Sequence, residues 1–442
     1  MAGLAKDSAI TLGARVIMLV LVMATSIIIS RVLGPAHKGS YSLLLLIINT
    51  LLLLLVFGVG SANVYLGARN ADKLPALAGN SLAAALALGA LGILITWLAL
   101  RVPAVAVYLQ GNGIRPGWLM ALVFVLPLLL LANFFQEIVR ASGRIVSYNL
   151  ISVISAATAL AGAVLFIWIG QWGLIGALAA WLLSRLVMTA AAVLLALKTL
   201  HGRLRLDRSV WRETLRFGLQ LHPGNIAQFL NYRLDVLLIG YFLAPLQVGL
   251  YVTATNLTEI IWEIPHSIRT VLLHRVAAQG DDHAHDAVTA QVTRITMTLV
   301  GAICLAACLL SAPAIRLLYG VDYLPAAPAL ILLMPGVWAL SLGKLLAIHL
   351  AGTGRPKIGT IAALVSLAAT LILDLLLIPR FGIRGAAAAS AVAYIISTLV
   401  TLRVYLRVTG QSVREVTLMN RADRLRLRGW LANLRTSLPA AR

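Results

Sequence analysis

Acidic side chains interrupt two neighbouring apolar runs near the middle of this 442-residue sequence. Glu259 and Glu263 are one helical turn apart in the second run, so a helix places both on one face. Asp235 lies in the run before them. Because two carboxylates repel each other in a low-dielectric environment, we expect at least one glutamate to hold a proton or a cation such as sodium. We therefore predict ion coupling at these three residues, with an internal salt bridge to an intramembrane arginine as the alternative.

Four basic side chains also lie inside apolar runs: Arg15, Arg185, Arg233 and Lys344. A charge at the centre of a membrane-spanning helix costs about 2.5–3.5 kcal/mol on insertion scales, so such residues are usually functional. Guanidinium groups stay charged and bind phosphate oxygens through paired hydrogen bonds. We expect these four residues to line a cavity that receives an anionic, phosphate-bearing substrate.

Other roles for these charges stay open. Arg15 can snorkel to the inner headgroups, and Arg185 can pair with a carboxylate. Arg233 points nearly opposite Asp235 on a straight helix, so one of those two charges is expected to support packing between helices.

The composition predicts a protein that is embedded in a membrane. Hydrophobic residues make up 60% of the sequence and charged residues 12%, whereas soluble domains average about 45–50% and about 25%. The formal net charge of +21 comes mostly from short loops and from residues 407–442. This charge therefore indicates membrane topology and contact with membrane lipids, and we expect no nucleic-acid partner.

Apolar runs of about 20 residues are long enough to cross a bilayer as helices. The sequence contains twelve such spans, at 9–30, 41–66, 75–100, 118–139, 146–169, 173–197, 217–240, 247–272, 289–311, 326–350, 358–378 and 384–406. They predict an all-α integral membrane fold.

The distribution of lysine and arginine predicts how these spans are oriented. If the N-terminus is cytoplasmic, the inner loops carry fourteen basic residues before the tail is counted. The outer loops carry seven, namely Arg31, Lys38, Arg101, Arg115, Arg316, Arg380 and Arg384. Because inner loops are enriched in positive charge, both termini are predicted to be cytoplasmic in a multi-pass protein of the cytoplasmic membrane.

The chain repeats itself at an offset of about 210 residues. LGPAHKGSY at 33–41 matches LAPLQVGLY at 243–251, and ASGR at 141–144 matches GTGR at 352–355. WGLIGALAA at 172–180 matches FGIRGAAAA at 381–389. Each copy holds six spans, so the two halves have the same orientation. We predict two six-helix bundles related by a pseudo-twofold axis along the membrane normal, with a cleft between them.

These landmarks predict four regions. An N-terminal lobe covers 1–200, a cytoplasmic linker 201–216 and a C-terminal lobe 217–406. The tail, 407–442, is predicted to form a basic amphipathic helix on the anionic inner leaflet.

Enzymatic motifs are absent from the sequence. It contains no phosphate-binding Gly-rich loop with Lys-Ser/Thr, no G-x-S-x-G elbow and no His/Cys set with metal-ligand spacing. The acidic stretch DDHAHD at 281–286 is interpreted as a solvated loop, with a metal-binding cluster as the alternative. We expect no enzyme activity, no cofactor and no metal.

Several motifs resemble those of one transporter family. RVLGPAHKGSYSL, YRLDVLLIGYFLAPLQVGLYVTATNL, AGTGR and LIPRFGIRGAAAASAVAY resemble the polysaccharide and O-antigen flippases (Wzx type) of the MATE-like multidrug/oligosaccharidyl-lipid/polysaccharide exporter superfamily. The resemblance covers nearly all of 1–406. Asp235 falls on the acidic position of the second motif, whereas Asp374 stands where this family commonly has an uncharged polar residue. Lipid II flippases usually have fourteen spans, so twelve spans argue against that branch.

The resemblance implies a two-lobed transporter with alternating access. Such flippases move an isoprenoid-diphosphate-linked oligosaccharide, such as a lipopolysaccharide O-antigen unit, to the outer leaflet. Their cationic cavity receives the diphosphate and sugar, for which Arg15, Arg185 and Arg233 are the candidates here. A polysaccharide polymerase and glycosyltransferases are expected partners.

Two other functions fit parts of the pattern. A cation-coupled multidrug exporter of the same superfamily would use the same fold, although a cavity for cationic compounds should be acidic and aromatic. A membrane-embedded transferase or ligase of envelope polymers would need an acidic cluster at a membrane face.

Overall fold

A computed structural model describes residues 2–200, 202–278, 282–355, 357–420 and 423. Its fifteen α-helices, in chain order, are α1 Ala2–Leu55, α2 Val59–Arg69, α3 Leu74–Ala99, α4 Pro103–Gly111, α5 Pro116–Val123, α6 Leu126–Ala141, α7 Ile145–Gly162, α8 Gly173–Leu197, α9 Arg208–Phe242, α10 Pro245–Ala278, α11 Asp282–Leu309, α12 Ser311–Leu318, α13 Ala327–Gly352, α14 Lys357–Thr409 and α15 Val413–Thr417. A π-helical turn over Ala163–Ile169 extends α7, and 3₁₀ turns cover Ala71–Lys73 and Val321–Ala326.

All twelve predicted spans fall on these helices, which confirms the all-α membrane fold. Seven of the described helical segments are long and apolar enough to cross a membrane, and the bent pair α5 and α6, which meet at 40°, makes an eighth. α1 contains the first predicted span and the beginning of the second, and α14 contains the last two. Glycines with non-helical backbone angles interrupt these helices at Gly34 and Gly382. α9 and α10 hold the seventh and eighth spans and several of their charges.

The positions of breaks and short helices were not predicted. The second span is broken at 56–58, where Phe57 and Gly58 have positive φ angles. The fourth is split into α5 and α6. α4 and α12 lie in stretches that were interpreted as outer loops. Pro223 and Pro265 lie inside α9 and α10, which continue through them.

The internal repeat is visible in the backbone. Gly143 and Gly354, from the matched ASGR and GTGR segments, have φ angles of 76° and 82°. Gly173 and Gly382, from the third pair of segments, have φ angles of 59° and 61°. Residues with a Cβ rarely adopt this left-handed conformation, so glycine is required at the same turn in both copies.

The first pair of repeated segments also pack against each other. A Cβ placed on Gly39 would lie 1.8 Å from the carbonyl oxygen of Pro245, and one on Gly249 would lie 1.9 Å from that of Pro35. Gly39 matches Gly249 and Pro35 matches Pro245 at the repeat offset, so the contact is reciprocal. The two copies of the motif are therefore related by a local twofold rotation at this helix crossing.

Contacts divide the chain into two compact units. The first comprises Met1–Thr253 with Ile315–Ala326, and the second Ala254–Ala314 with Ala327–Arg442. Buried side chains of α3 and α6, such as Leu77 and Phe134, form much of the first core. Met297, Leu342, Leu346, Tyr405 and Val416 form a core cluster in the second. The predicted lobe boundaries, 1–200 and 217–406, follow the repeat and stay a prediction.

The predicted linker packs closely against the first unit. A Cβ on Gly79 of α3 would lie 2.3 Å from the carbonyl oxygen of Arg205. The Asn80 amide exchanges hydrogen bonds of 2.8 and 3.1 Å with the backbone of Asp207. Asp207 then caps α9, and hydrogen bonds from the Ser209 hydroxyl and the Val210 backbone amide hold its pKa below the usual value. Residues 208–216 belong to α9 and extend its seventh span.

The start of the predicted tail docks on the second unit. α15 begins with a capping box between Ser412 and Glu415, and the Ser412 backbone amide lowers the pKa of Glu415. Val416 is fully buried in the core cluster. Arg294 of α11 binds both carboxylate oxygens of Asp423 at 2.6 and 3.2 Å. The basic helix predicted beyond this point lies outside the described residues.

Two interpretations of charged segments were wrong. Lys38 was counted as an outer-loop residue, but it lies inside α1 with an exposed fraction of 3%. The stretch at 281–286 was interpreted as a solvated loop, but α11 begins at Asp282. Asp286 lies 3.0 Å from the Nε2 atom of buried His349, whose Nδ1 atom lies 2.9 Å from the Thr289 hydroxyl. Both errors arose because the partners are distant in sequence.

Candidate functional site

Arg185 lies at the middle of α8 and is half-buried in the first unit. Its guanidinium carbon is 5.7 Å from the centre of the Trp181 ring, and Nη1 is 3.4 Å from the Met188 sulfur. It interacts electrostatically with the Tyr41 hydroxyl of α1. Its buried Nε atom has no hydrogen-bond acceptor among the described residues. The expected alternative, pairing with a carboxylate, is not found in this part of the chain.

Arg15 has a different set of neighbours. It is half-buried in α1 and interacts electrostatically with Tyr148 of α7. Arg140 lies over the same tyrosine ring at 5.5 Å and is 3.5 Å from the Glu137 carboxylate. Glu137 was not among the predicted residues, although a carboxylate near the end of an apolar span is visible in the sequence. This cluster sits at the end of α7 that is predicted to be cytoplasmic.

Asp235 is buried and holds α9 to α10. One carboxylate oxygen accepts a 2.5 Å hydrogen bond from the Tyr251 hydroxyl, and the other accepts a 2.7 Å bond from the Val236 amide. Tyr251 has no exposed surface. These hydrogen bonds suit a charge that supports packing between helices, which is the role expected for either Asp235 or Arg233. Arg233 lies nearby in α9 and is half-buried.

Lys38 is a buried cation that sequence reasoning missed. Its ammonium group donates hydrogen bonds of 2.6 Å to Ser30 and 2.9 Å to Thr253. It also lies 4.7 and 5.4 Å from the ring centres of Tyr319 and Tyr323. Aromatic faces attract cations, so this cage favours the protonated amine, and none of the described contacts of Lys38 is with a carboxylate. The available signal was a lysine inside the repeated motif, where the second copy has valine.

The remaining candidates lie in the second unit. The Lys344 ammonium is 4.4 Å from the centre of the Trp262 ring, which packs edge-on against Tyr394 at 5.7 Å. Glu259 and Glu263 flank Trp262 on α10, and both are half-buried. Lys344 of α13 therefore lies beside the part of α10 that carries both predicted glutamates. The side chain of His266, on the same predicted face, lies outside the described part.

The predicted residues therefore fall into two groups. Arg15, Arg185, Arg233 and Asp235 belong to the first unit, and Glu259, Glu263 and Lys344 to the second. Within the first unit, Arg15 and Arg185 contact different tyrosines, so they do not form one cluster through those contacts. The described residues include no group of three or more His, Cys, Asp or Glu side chains that could hold a metal.

Sequence comparison identifies relatives in polysaccharide biosynthesis. The profile of a family described as polysaccharide biosynthesis protein matches residues 28–328. A probable low-salt glycan biosynthesis flippase, Agl15 of Haloferax volcanii, is 25% identical over 169 residues, which are 38% of this chain and 36% of the relative. An uncharacterized membrane protein of Methanocaldococcus jannaschii is 39% identical over 82 residues, 19% of this chain and 16% of the relative. The matches thus span well under half of these relatives' lengths.

Solved structures share the whole fold at low sequence identity. An inward closed conformation of the lipid II flippase MurJ superposes with a TM-score of 0.77 at 16% identity, covering 98% of this chain and 93% of the other. An inward-facing multidrug resistance MATE family transporter of the MOP superfamily superposes with a TM-score of 0.72 at 16% identity, covering 91% and 98%. At this identity, the likeness establishes the fold alone.

Proposed function

Because this chain belongs to the polysaccharide biosynthesis protein family, we propose that it is a flippase for isoprenoid-diphosphate-linked oligosaccharides. It moves the glycan and diphosphate from the inner to the outer leaflet while the isoprenoid tail stays in the bilayer. Its fold, shared with MurJ and MATE transporters, supports transport by alternating access. The reaction makes and breaks no covalent bond, so the protein is a transporter and not an enzyme.

The surroundings of Arg185 are the main support for this proposal. A guanidinium group at the middle of a membrane-spanning helix is costly unless it is compensated. Its described neighbours are tyrosine, tryptophan and methionine side chains. An anionic ligand would complete its hydrogen bonds and balance its charge, and a diphosphate suits the planar fork of arginine. Arg15, Arg233 and Lys344 are the further basic residues proposed to contact the substrate.

Coupling to an ion gradient is the second part of the proposal. Glu259 and Glu263 lie one turn apart beside the Lys344–Trp262 pair, so a proton or sodium ion bound there changes the local charge. Asp235 is retained as a third candidate, although its bond to Tyr251 favours a packing role. If the flipping rate is unchanged by Glu263→Gln and does not depend on pH or sodium gradients, the proposed ion coupling is wrong.

The protein is proposed to act in the cytoplasmic membrane with both termini in the cytoplasm. The predicted inner loops carry fourteen basic residues, and the outer ones carry six once buried Lys38 is left out of the seven that were counted. There it would receive its substrate from glycosyltransferases and deliver it to a polysaccharide polymerase. Cysteine substitutions in α15 and at Arg115, labelled from one side of intact cells, test the orientation.

The test of Arg185 is flipping in sealed proteoliposomes. A fluorescent isoprenyl-diphosphate oligosaccharide is reconstituted, and the fraction that becomes accessible to an external quencher is followed over time. We expect Arg185→Ala to slow flipping at least tenfold and Arg185→Lys to retain part of the rate, because lysine keeps the charge but loses the fork. Arg101→Ala removes an exposed arginine that stacks on Trp97 and serves as the control. Equal rates for Arg185→Ala and Arg101→Ala would contradict the assignment.

A further inference from the structure

A pocket with a mostly apolar wall and a few polar groups lies in the first unit, at the helix ends that are predicted to be extracytoplasmic. It is open on one side and has a volume of about 500 Å³, which is within the usual range of about 300–1,000 Å³ for small-molecule sites. Four connections contribute to it, from α1, α4–α5, α7–α8 and α9–α10. Its polar and aromatic lining comprises His37, Ser40, Arg115, Trp118 and Trp172, beside Pro245.

The pocket is electropositive by construction. Arg115 and His37 are exposed in its wall, and no carboxylate is among its lining residues. Helical segments also begin around it: the second half of α1 after Gly34, α5 at Pro116, α8 at Gly173 and α10 at Pro245. Each helix N-terminus contributes a partial positive charge, which adds to the charge of Arg115.

The two tryptophans are held in place at the rim. The Trp172 ring stacks on Phe166 with a centre-to-centre distance of 5.1 Å, and its backbone amide donates a 3.0 Å hydrogen bond to the Phe166 carbonyl. Trp172 nevertheless leaves 56% of its surface exposed. The Arg115 guanidinium lies over the Trp118 ring at 5.1 Å. Fixed, accessible aromatic faces beside cations suit a ligand that combines an apolar ring face with anionic oxygens.

The floor of the pocket is rigid. The Ser40 hydroxyl donates a 2.7 Å hydrogen bond to the carbonyl oxygen of Asn112, whose side-chain amide donates a 2.7 Å bond to the Gly240 carbonyl. These bonds tie α1 and α9 to the connection that carries Arg115. Preorganised groups lose little conformational freedom when a ligand binds. We therefore expect a ligand to bind here without a large movement of the surrounding helices.

We propose that this pocket binds the glycosyl diphosphate headgroup of the flipped product on the extracytoplasmic side. Arg115 and His37 contact the diphosphate, and Trp172 and Trp118 pack against sugar rings. The inference rests on the proposed flippase function and gives it an exit site that is separate from Arg185. A simple belt of interfacial tryptophans would not need a concave, basic pocket.

Binding in lipid nanodiscs tests the site with a water-soluble probe. The probe is a fluorescent N-acetylglucosaminyl diphosphate carrying a short isoprenyl chain, followed by anisotropy. We expect Arg115→Ala and Trp172→Ala to weaken binding at least tenfold in the Arg185→Ala background, where the central site is disabled. Arg101→Ala and Trp97→Ala are matched controls, since they remove another arginine–tryptophan stack outside the pocket.

Competition distinguishes the product headgroup from ordinary phospholipid. Glycerol 1-phosphate should compete at least tenfold less well than the unlabelled glycosyl diphosphate. Equal competition would assign the pocket to phospholipid headgroups and overturn the proposal, as would equal effects of Arg115→Ala and Arg101→Ala. Photo-crosslinking of a diazirine probe to wild-type protein should label residues 113–118 or 172–175, and labelling elsewhere alone would also overturn it.

The same preparations separate this proposal from the function. Flipping without probe binding at the pocket refutes the exit site and leaves the flippase intact. Probe binding that depends on Arg115 in a wild-type protein that does not flip the lipid-linked glycan refutes the flippase and leaves a glycosyl diphosphate site.

Discussion

Two tyrosines in register within the repeat have charged neighbours of opposite sign. Tyr41 lies beside Arg185, and Tyr251 donates a hydrogen bond to Asp235. Both tyrosines are the last residue of the repeated motif, so they occupy equivalent positions in the two copies. Their charged neighbours, Arg185 and Asp235, are not equivalent. In the first copy the charge is a cation whose guanidinium fork is incompletely bonded by protein; in the second it is an anion held by two hydrogen bonds. We infer that the first pair serves ligand binding and the second stability.

Removing the Tyr251 hydroxyl tests the second role. Tyr251→Phe deletes a hydrogen bond to a buried carboxylate, which is worth about 1.5–3 kcal/mol. We expect a lower thermal midpoint of the detergent-solubilised protein by fluorescence-monitored unfolding. Tyr241→Phe, at a tyrosine with 69% of its surface exposed, is the control. Equal midpoints for the two variants would show that the Asp235 contact is not stabilising.

The environment of Lys38 could not be predicted from its neighbours in the sequence. A lysine three residues after the Gly34-Pro35 pair is typical of a loop, and the topology count placed Lys38 in an outer loop. Its hydroxyl partners Ser30 and Thr253 are 8 and 215 residues away. Of its two tyrosines, Tyr319 directly follows α12 and Tyr323 lies in the 3₁₀ turn over Val321–Ala326. Only the fold brings these groups to one point, so no local pattern could have predicted the cage.

At the scale of elements, the apolar runs located the helices well because bilayer thickness imposes their length. The repeat located shared turns because a left-handed glycine at one turn, such as Gly173, recurs at Gly382. Hydropathy could not locate breaks within a run, such as the one at Phe57, where an ordinary residue adopts a positive φ. It also missed α4 and α12, which are too short to span a membrane and depend on tertiary packing.

The helix crossing at Gly39 and Gly249 gives a sharp prediction. Gly39→Ala or Gly249→Ala inserts a methyl group less than 2 Å from a carbonyl oxygen of the facing proline, Pro245 or Pro35. The helices must separate, at a cost of about 1–3 kcal/mol or more. We expect a loss of monodisperse protein on size-exclusion chromatography and a lower thermal midpoint. Gly13→Ala has no atom within 4 Å of the new methyl group and should be neutral or slightly stabilising.

A wild-type elution profile and midpoint for both crossing variants would contradict this geometry. Since the two positions are equivalent in the repeat, the variants should also resemble each other. A large effect at one glycine and none at the other would argue against the reciprocal contact.

At the scale of the whole molecule, the family match and the fold are consistent with each other. The proposed substrate, in contrast, depends on a few charged residues. The fold is shared by the lipid II flippase MurJ and by a multidrug MATE transporter, so architecture does not choose between a glycan lipid and a cationic compound. We propose that the intramembrane basic residues make that choice. An arginine in low-dielectric surroundings attracts phosphate and repels cations.

Substrate class in sealed proteoliposomes is therefore the most direct measurement of the central claim. One preparation is given a fluorescent isoprenyl-diphosphate oligosaccharide and another the cationic dye ethidium, with imposed proton and sodium gradients in turn. The flippase account predicts that the glycan lipid crosses at least tenfold faster than in protein-free liposomes, whereas ethidium does not exceed that background. Transport of ethidium without movement of the glycan lipid would contradict the account and identify a multidrug exporter.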